Sequence, residues 1–150
     1  MALILPLVVL LLFASIEAGH FVWTQHKLTD GVRDGARFAG RMNINQLCNG
    51  ATPVNDANTI TAIKNVTRTG KTATAAAIPK VAGWDNSEIL VTVSCQQFVS
   101  TGIYTDLDSA GPIVTVSTGG VTYPSLFHAL GLLDETIQLS AKSNSPVVGI

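Results

Sequence analysis

The run Ala2-Leu3-Ile4-Leu5-Pro6-Leu7-Val8-Val9-Leu10-Leu11-Leu12-Phe13-Ala14-Ser15-Ile16-Glu17-Ala18-Gly19 decides how the rest of the chain is read. From Ala2 to Ile16 there is no charge, and only Pro6 and Ser15 interrupt the apolar residues. The whole chain has 150 residues, of which 13% are charged, against a usual ~25%. Its mean hydropathy is +0.37, and the excess is concentrated at this one end. So long a run needs lipid or other protein around it. Low hydrophobicity of the kind that leaves a chain disordered is excluded. The net charge of -1 gives no support for a nucleic-acid partner. Two cysteines allow one disulfide and are too few for a cysteine-only zinc site.

Three readings of this segment compete: a cleaved secretory signal, a membrane anchor, or a helix in the core of a filament. A signal peptide wants a basic leading region and small residues before the cut. Here Met1 runs straight into apolar residues, and Ile16-Glu17-Ala18 has a bulky first position. The run is short for a spanning helix, which needs ~20 apolar residues. Continuing through Ala18, Gly19, Phe21, Val22 and Trp23 supplies that length, with Trp23 where an interfacial aromatic would sit. Glu17 then falls either inside the membrane, where a carboxylate is costly and marks a functional site, or hydrated at the interface.

The helical pattern continues beyond Trp23. Apolar or small residues recur at Phe21, Leu28, Val32, Gly35, Ala39 and Met42, at near-heptad steps from Leu28 on. The opposite face carries Lys27, Asp30, Arg33, Asp34, Arg37 and Arg41, with Asp30–Arg33 and Asp34–Arg37 as attractive neighbours. Gly31 and Gly35 form a small-x-x-x-small pair that permits close helix–helix approach. Each interior glycine costs ~1 kcal/mol of helix propensity, which packing must offset. Residues 2–42 thus read as one helix of about 60 Å. The remaining ~100 residues of so small a chain cannot cover that length, so half of the helix must find lipid or other subunits.

Ala2-Leu3-Ile4-Leu5-Pro6, the leucine-rich run, Ile16-Glu17-x-Gly19 and Thr29-Asp30-Gly31-x-Arg33-Asp34-Gly35-Ala36-Arg37-Phe38-Ala39 together resemble the TadE-like pilins of tight-adherence (Flp-type, type IV-related) pilus systems. The resemblance covers residues 2–42 and is diffuse afterwards. It implies a type IV pilin-like fold and a filament core built by the first helix. It also implies identical subunits, the inner membrane before assembly and the pilus assembly machinery as partners, and a final location on the cell surface. One feature departs from the wider type IV pattern. The glutamate expected at the fifth mature position would precede Met1, and position 5 here is Leu5. Either a leader precedes this start or the start has been reassigned.

After the helix, residues 43–80 are rich in Asn, Thr and Ala and read as an extended surface region with a short helix around Asn58–Asn65. Glu88–Phe98 alternates, with Ile89, Val91, Val93 and Cys95 on one face. Ile113–Thr118, a Gly119-Gly120 turn and Val121–Tyr123 suggest a hairpin. Ser125–Leu133 reads as a short helix or ordered loop, and Ile137–Ala141 and Val147–Ile150 as one or two last strands. The expected class is α+β. A long N-terminal helix, apolar in its first half and amphipathic in its second (1–42), packs on a small antiparallel β-sheet domain (43–150). Cys48 lies just past the helix and Cys95 on the apolar face of a strand. A Cys48–Cys95 disulfide would staple helix end to sheet and imply an oxidising compartment; two buried free thiols are the alternative.

Little in the chain speaks for catalysis. His20, His26 and His128 have no metal-ligand spacing. Gly70-Lys71-Thr72 resembles a phosphate loop, but the glycine needed five positions earlier is Asn65. Asp106-x-Asp108 lacks calcium ligands at Ala110 and Ser117. No Gly-x-Ser-x-Gly elbow is present. No cofactor is expected. Asn65-Val66-Thr67 makes Asn65 a candidate glycosylation site. The residues expected to pack the helix or filament are Leu3, Leu7, Leu10, Phe13, Glu17, Phe21, Leu28, Gly31, Val32, Gly35 and Ala39. The reading is a structural, non-enzymatic subunit that polymerises through its first helix into an adhesive filament. The alternatives are a minor pilin or pseudopilin, and a membrane-anchored periplasmic binding module. The glycine-rich stripe Gly31–Gly40 favours the filament over the anchored module.

Overall fold

A computed structural model of the chain describes residues 4–73, 77–96, 111–127 and 137–149. Helix α1 runs from Ile4 to Gly40 as 37 unbroken residues, about 55 Å at 1.5 Å per residue. Pro6 lies in its first described turn. The chain then forms a single-turn helix α2 (Ile44–Leu47), the two-residue strands β1 (Cys48–Asn49) and β2 (Thr52–Pro53), helix α3 (Ala57–Thr69), and a three-residue 3-10 turn (Asn86–Glu88). Strands β3 (Ile89–Ser94), β4 (Ile113–Thr122) and β5 (Gln138–Pro146) make one antiparallel sheet in the order β3-β4-β5. A long helix on a small antiparallel sheet is an α+β architecture, as the sequence pattern predicts.

Helix α3 is longer than the sequence suggests and is not a surface element. Asp56 caps its start by accepting from the Thr59 N–H at 2.8 Å, and Gly70 ends it at φ 77°. The Asp56 carboxyl is held below its ordinary value by that cap, chiefly by the Thr59 hydroxyl and N–H it accepts from. The Gly-Lys-Thr stretch that looks like part of a phosphate loop is this helix terminus. Thr59, Ile63, Val66 and Thr67 face inward against α1. The second half of α1 therefore packs on α3 as well as on β4 and β5.

The expected Gly119-Gly120 hairpin is absent. β4 runs straight through both glycines and pairs with β5 along its length, from Ile113 opposite Pro146 to Thr122 opposite Gln138. Gly120, at φ 84°, absorbs a register shift between Gly119 and Val121. The pair marks a β-bulge rather than a reversal, because one left-handed residue bends a strand without turning it. The last strand extends to Pro146, and Val147–Gly149 form no further strand: they make an isolated bridge from Gly149 to Asn43, just past α1, and Val148 N–H donates to the Gly40 carbonyl at 2.8 Å. Of the stretch read as a short helix or loop, His128–Leu133 lies outside the described residues, as does Ile150.

The alternation read in β3 holds: Ile89 is 1% exposed and Leu90 63%. Its inward face joins Val114, Val116, Val121 and Leu139 in one core with Leu28, Val32, Ala36, Ala39, Ile63 and Trp84. Cys48 and Cys95 are joined by a disulfide across 47 residues, with Cα atoms 5.9 Å apart. Closing a loop of that length contributes about 4 kcal/mol in the chain-entropy model. It ties the chain just beyond α1 to the end of β3.

Candidate functional site

The two halves of α1 meet different surroundings. From Ile4 to Ile16 every residue is exposed. Leu7, Leu10 and Phe13 expose 61%, 67% and 44% of their surface. The first buried position is Thr24; from there Leu28, Gly31, Val32, Gly35, Ala36, Ala39 and Gly40 form a continuous buried stripe. Leu3 lies outside the described residues. The helix is long and apolar enough to cross a membrane, and none of its most apolar 18-residue window is buried among the described residues.

This division corrects the reading of the glycine stripe. A Cβ at Gly31 would stand 2.7 Å from the Thr67 carbonyl and 2.8 Å from the Trp84 ring, and one at Gly35 would collide with the Thr67 hydroxyl. Both glycines serve the contact of α1 with α3 and Trp84 inside one chain. Leu28, Val32 and Ala39 are likewise core residues, each 0% exposed. None of the five is available to set the register between subunits. The charged face is arranged nearly as expected. Arg33 pairs with Asp30 at 3.7 Å, but Asp34 takes Lys80 at 2.6 Å instead of Arg37. The first pair is largely solvated and the second partly so, and surface pairs of this kind contribute little.

Asn65 is also corrected. It is 5% exposed, in the middle of α3. Its amide donates to the Thr72 carbonyl at 3.0 Å and its carbonyl accepts from Asn86 Nδ2 at 2.8 Å. A side chain so placed cannot receive a glycan without local unfolding. It instead holds the chain that follows α3.

A polar network joins helix to sheet at the junction between the exposed and buried halves. The Tyr123 hydroxyl donates to the Glu17 carbonyl oxygen at 3.3 Å and lies 2.9 Å from His20 Nδ1. Phe21 packs edge-on against Tyr123, with ring centroids 5.2 Å apart, and Phe13 packs in the same way on Phe127. Burial, reinforced by the Glu17 side chain, pushes the Tyr123 hydroxyl up to about 12. The chain from Tyr123 to Phe127 therefore descends along α1 from the level of Phe21 to that of Phe13.

Between this descending segment and the helix lies a groove of about 740 Å³. Its walls are apolar, from Pro6 and Leu10 on the helix to Phe127 and Ile137 on the sheet domain. Among the described residues, Glu17 is the single charged side chain in its lining. Both Glu17 carboxylate oxygens are buried without a hydrogen-bond partner among the described residues. A carboxylate so placed is expensive unless a donor reaches it. Composition and periodicity single out Glu17 and Phe21. They give no hint of Tyr123, Phe127 or Ile137, which reach the helix only through the tertiary fold. Nor do they point to Trp84, packed on Gly31, although a buried tryptophan is a natural occupant of a gap opened by helix glycines.

Among the described residues no group of three or more His, Cys, Asp or Glu side chains is placed to hold a metal ion. His128 and the Asp106–Asp108 pair lie outside them. No curated protein and no solved structure matches the chain. The apolar arm, the glutamate at its base and the small-residue stripe beyond it together form the segment that finds a match: residues 1–37 fit the family model described as TadE-like protein.

Proposed function

We propose that this chain is a structural pilin subunit. Its apolar arm lies in the inner membrane before assembly and in the core of an extracellular filament afterwards. The observation that carries the reading is the unmet surface of Ile4–Ile16, where every residue is exposed on a helix whose other half buries a continuous stripe against the domain. A fully buried large apolar side chain is worth ~1.5–3 kcal/mol, so covering the ten exposed ones from Ile4 to Ile16 in each subunit gives a cohesive polymer. The fit of residues 1–37 to the TadE-like family model supports the same reading. Surface attachment is the role such a filament would serve. The pilus assembly machinery and identical subunits are its partners, and no catalytic step is assigned to it.

Glu17 is the residue that gives the assembly a register, because its carboxylate oxygens find no donor among the described residues. A cationic or hydroxyl group from a neighbouring helix would meet them. Glu17→Ala is expected to lower filament yield or disorder the filament while leaving the folded domain intact. Normal, well-ordered filaments in that mutant would remove the role.

The second reading is a membrane-anchored periplasmic binding module, which needs the same arm but no assembly. With the glycine stripe spent inside the chain, that reading gains ground. Negative-stain microscopy of sheared cell-surface material separates the two. Filaments that contain this chain support the pilin. The chain recovered in membranes with no filaments supports the anchored module.

A further inference from the structure

We propose that the sheet domain does not sit above the membrane but dips its Tyr123–Phe127 edge into the outer leaflet, where phospholipid acyl chains fill the groove beside Glu17. The proposal rests on the reading of the α1 arm as a membrane anchor. Ile4–Phe21 spans about 27 Å, close to the ~30 Å of a bilayer's hydrocarbon core. Phe127 touches Phe13, eight helical residues or about 12 Å below Phe21. With the arm in a bilayer, the segment from Tyr123 to Phe127 therefore lies at acyl-chain depth. Trp23, half exposed with the Lys27 ammonium 3.6 Å over its ring, then falls at the interface, where aromatic and basic side chains are favoured.

The chemistry of the segment suits that depth. Lipid offers no hydrogen bonds, so backbone N–H groups placed in it must be satisfied from within. Three of the four N–H groups there are met: Tyr123 N–H donates to the Ile137 carbonyl at 2.9 Å, Ser125 N–H to the Tyr123 carbonyl at 3.0 Å, and Phe127 N–H to the Ser125 hydroxyl at 3.2 Å. Pro124 has no N–H to satisfy. The segment carries no charge. Leu126 and Ile137 expose 51% and 40% of their surface next to it, which is unfavourable in water and ordinary in lipid. The groove is continuous with the exposed face of the arm, so whatever solvates the arm also enters the groove.

The test places a thiol-reactive fluorophore at Leu126→Cys in the full chain, reconstituted in phosphatidylcholine vesicles. Cys48 and Cys95 are bonded to each other and do not compete for the label. Leu10→Cys reports on the arm, and Leu90→Cys on the outer face of β3, where Leu90 is exposed. Phosphatidylcholine brominated along its chains quenches from the hydrocarbon, and iodide quenches from water. The expected result is that the probes at 10 and 126 lose most of their emission to the brominated lipid and little to iodide, with the reverse at 90. Ile137→Cys should repeat the result at 126. Iodide quenching at 126 with lipid quenching at 10 overturns the immersed edge and leaves the anchor standing. Loss of lipid quenching at 10 removes the anchor, and this proposal with it. Shielding at 126 from both quenchers, with Leu126→Cys chains cross-linking to each other, also overturns it and makes a second copy the occupant.

Discussion

α1 is one helix in two environments, and the side chains differ in kind as well as in exposure. From Ile4 to Ile16 it presents large aliphatic residues on every side, all of them exposed. From Thr24 to Gly40 it presents a stripe dominated by small residues, with eight positions buried against α3 and the sheet. Large side chains all round suit a neighbour that can adapt, such as lipid or a bundle of like helices. Small ones suit a fixed partner at close range, because a missing Cβ lets backbone approach backbone. The same secondary structure therefore serves an external contact in one half and an internal one in the other.

Removing the constraint that holds the inner half should have the largest effect. A Cys48→Ser, Cys95→Ser chain is expected to lose about 4 kcal/mol of unfolding stability, read by denaturant titration of the whole chain in detergent. Helical signal from the arm should persist beyond the domain transition. Next comes a matched pair of leucines. Leu28→Ala, at a fully buried site, should cost about 3 kcal/mol. Leu10→Ala should stay within about 0.5 kcal/mol in the same titration and show its effect only in membrane retention or filament yield. Equal losses at both positions would dissolve the contrast between the halves.

A matched pair of glycines sharpens it further. Gly35→Ala drives a methyl group into Thr67 and should cost about 1–3 kcal/mol by overpacking. Gly19→Ala meets nothing within 4 Å and should stabilise the helix by up to about 1 kcal/mol. The smallest effect lies at the junction. Tyr123 is one of two tyrosines, and its hydroxyl is raised to about 12. Folding favours the neutral phenol, so that contribution is complete below the ordinary value near 10. It is lost as pH rises toward 12. Tyrosinate absorbance of the folded chain should show one late titration that Tyr123→Phe removes.

The arm, the amphipathic continuation, the alternation in β3 and the cysteine pairing are legible in the sequence because each is a local pattern with a fixed period or a simple consequence of one. The use of Gly31 and Gly35 is not. A small-residue stripe states that something comes close, and only the fold shows that Thr67 and Trp84 of the same chain do so. Asn65 illustrates the same limit. Its sequon is a three-residue pattern, but its burial depends on α3 packing against α1. The Asp56 cap, the Ile60, Ile63 and Val66 spacing, and Gly70 past the end are the available signals for that helix. Gly119-Gly120 misleads because paired glycines serve bulges as readily as turns, and the choice rests with the partner strand. Around Glu17, the sequence marks the carboxylate but not the Tyr123, Phe127 and Ile137 wall, which arrives from more than a hundred residues away.

The central claim is that the first half of α1, the Phe13 contact with Phe127 aside, is left uncovered by the described part of its own chain and must be covered from outside. Deleting residues 1–18 tests it directly, with the oligomeric state and thermal unfolding of the remaining chain followed in detergent-free buffer. The account predicts a water-soluble monomer that keeps the Cys48–Cys95 disulfide and a cooperative unfolding transition, while the whole chain requires detergent. A shortened chain that no longer folds, or a whole chain that stays monomeric in water without detergent, would contradict it.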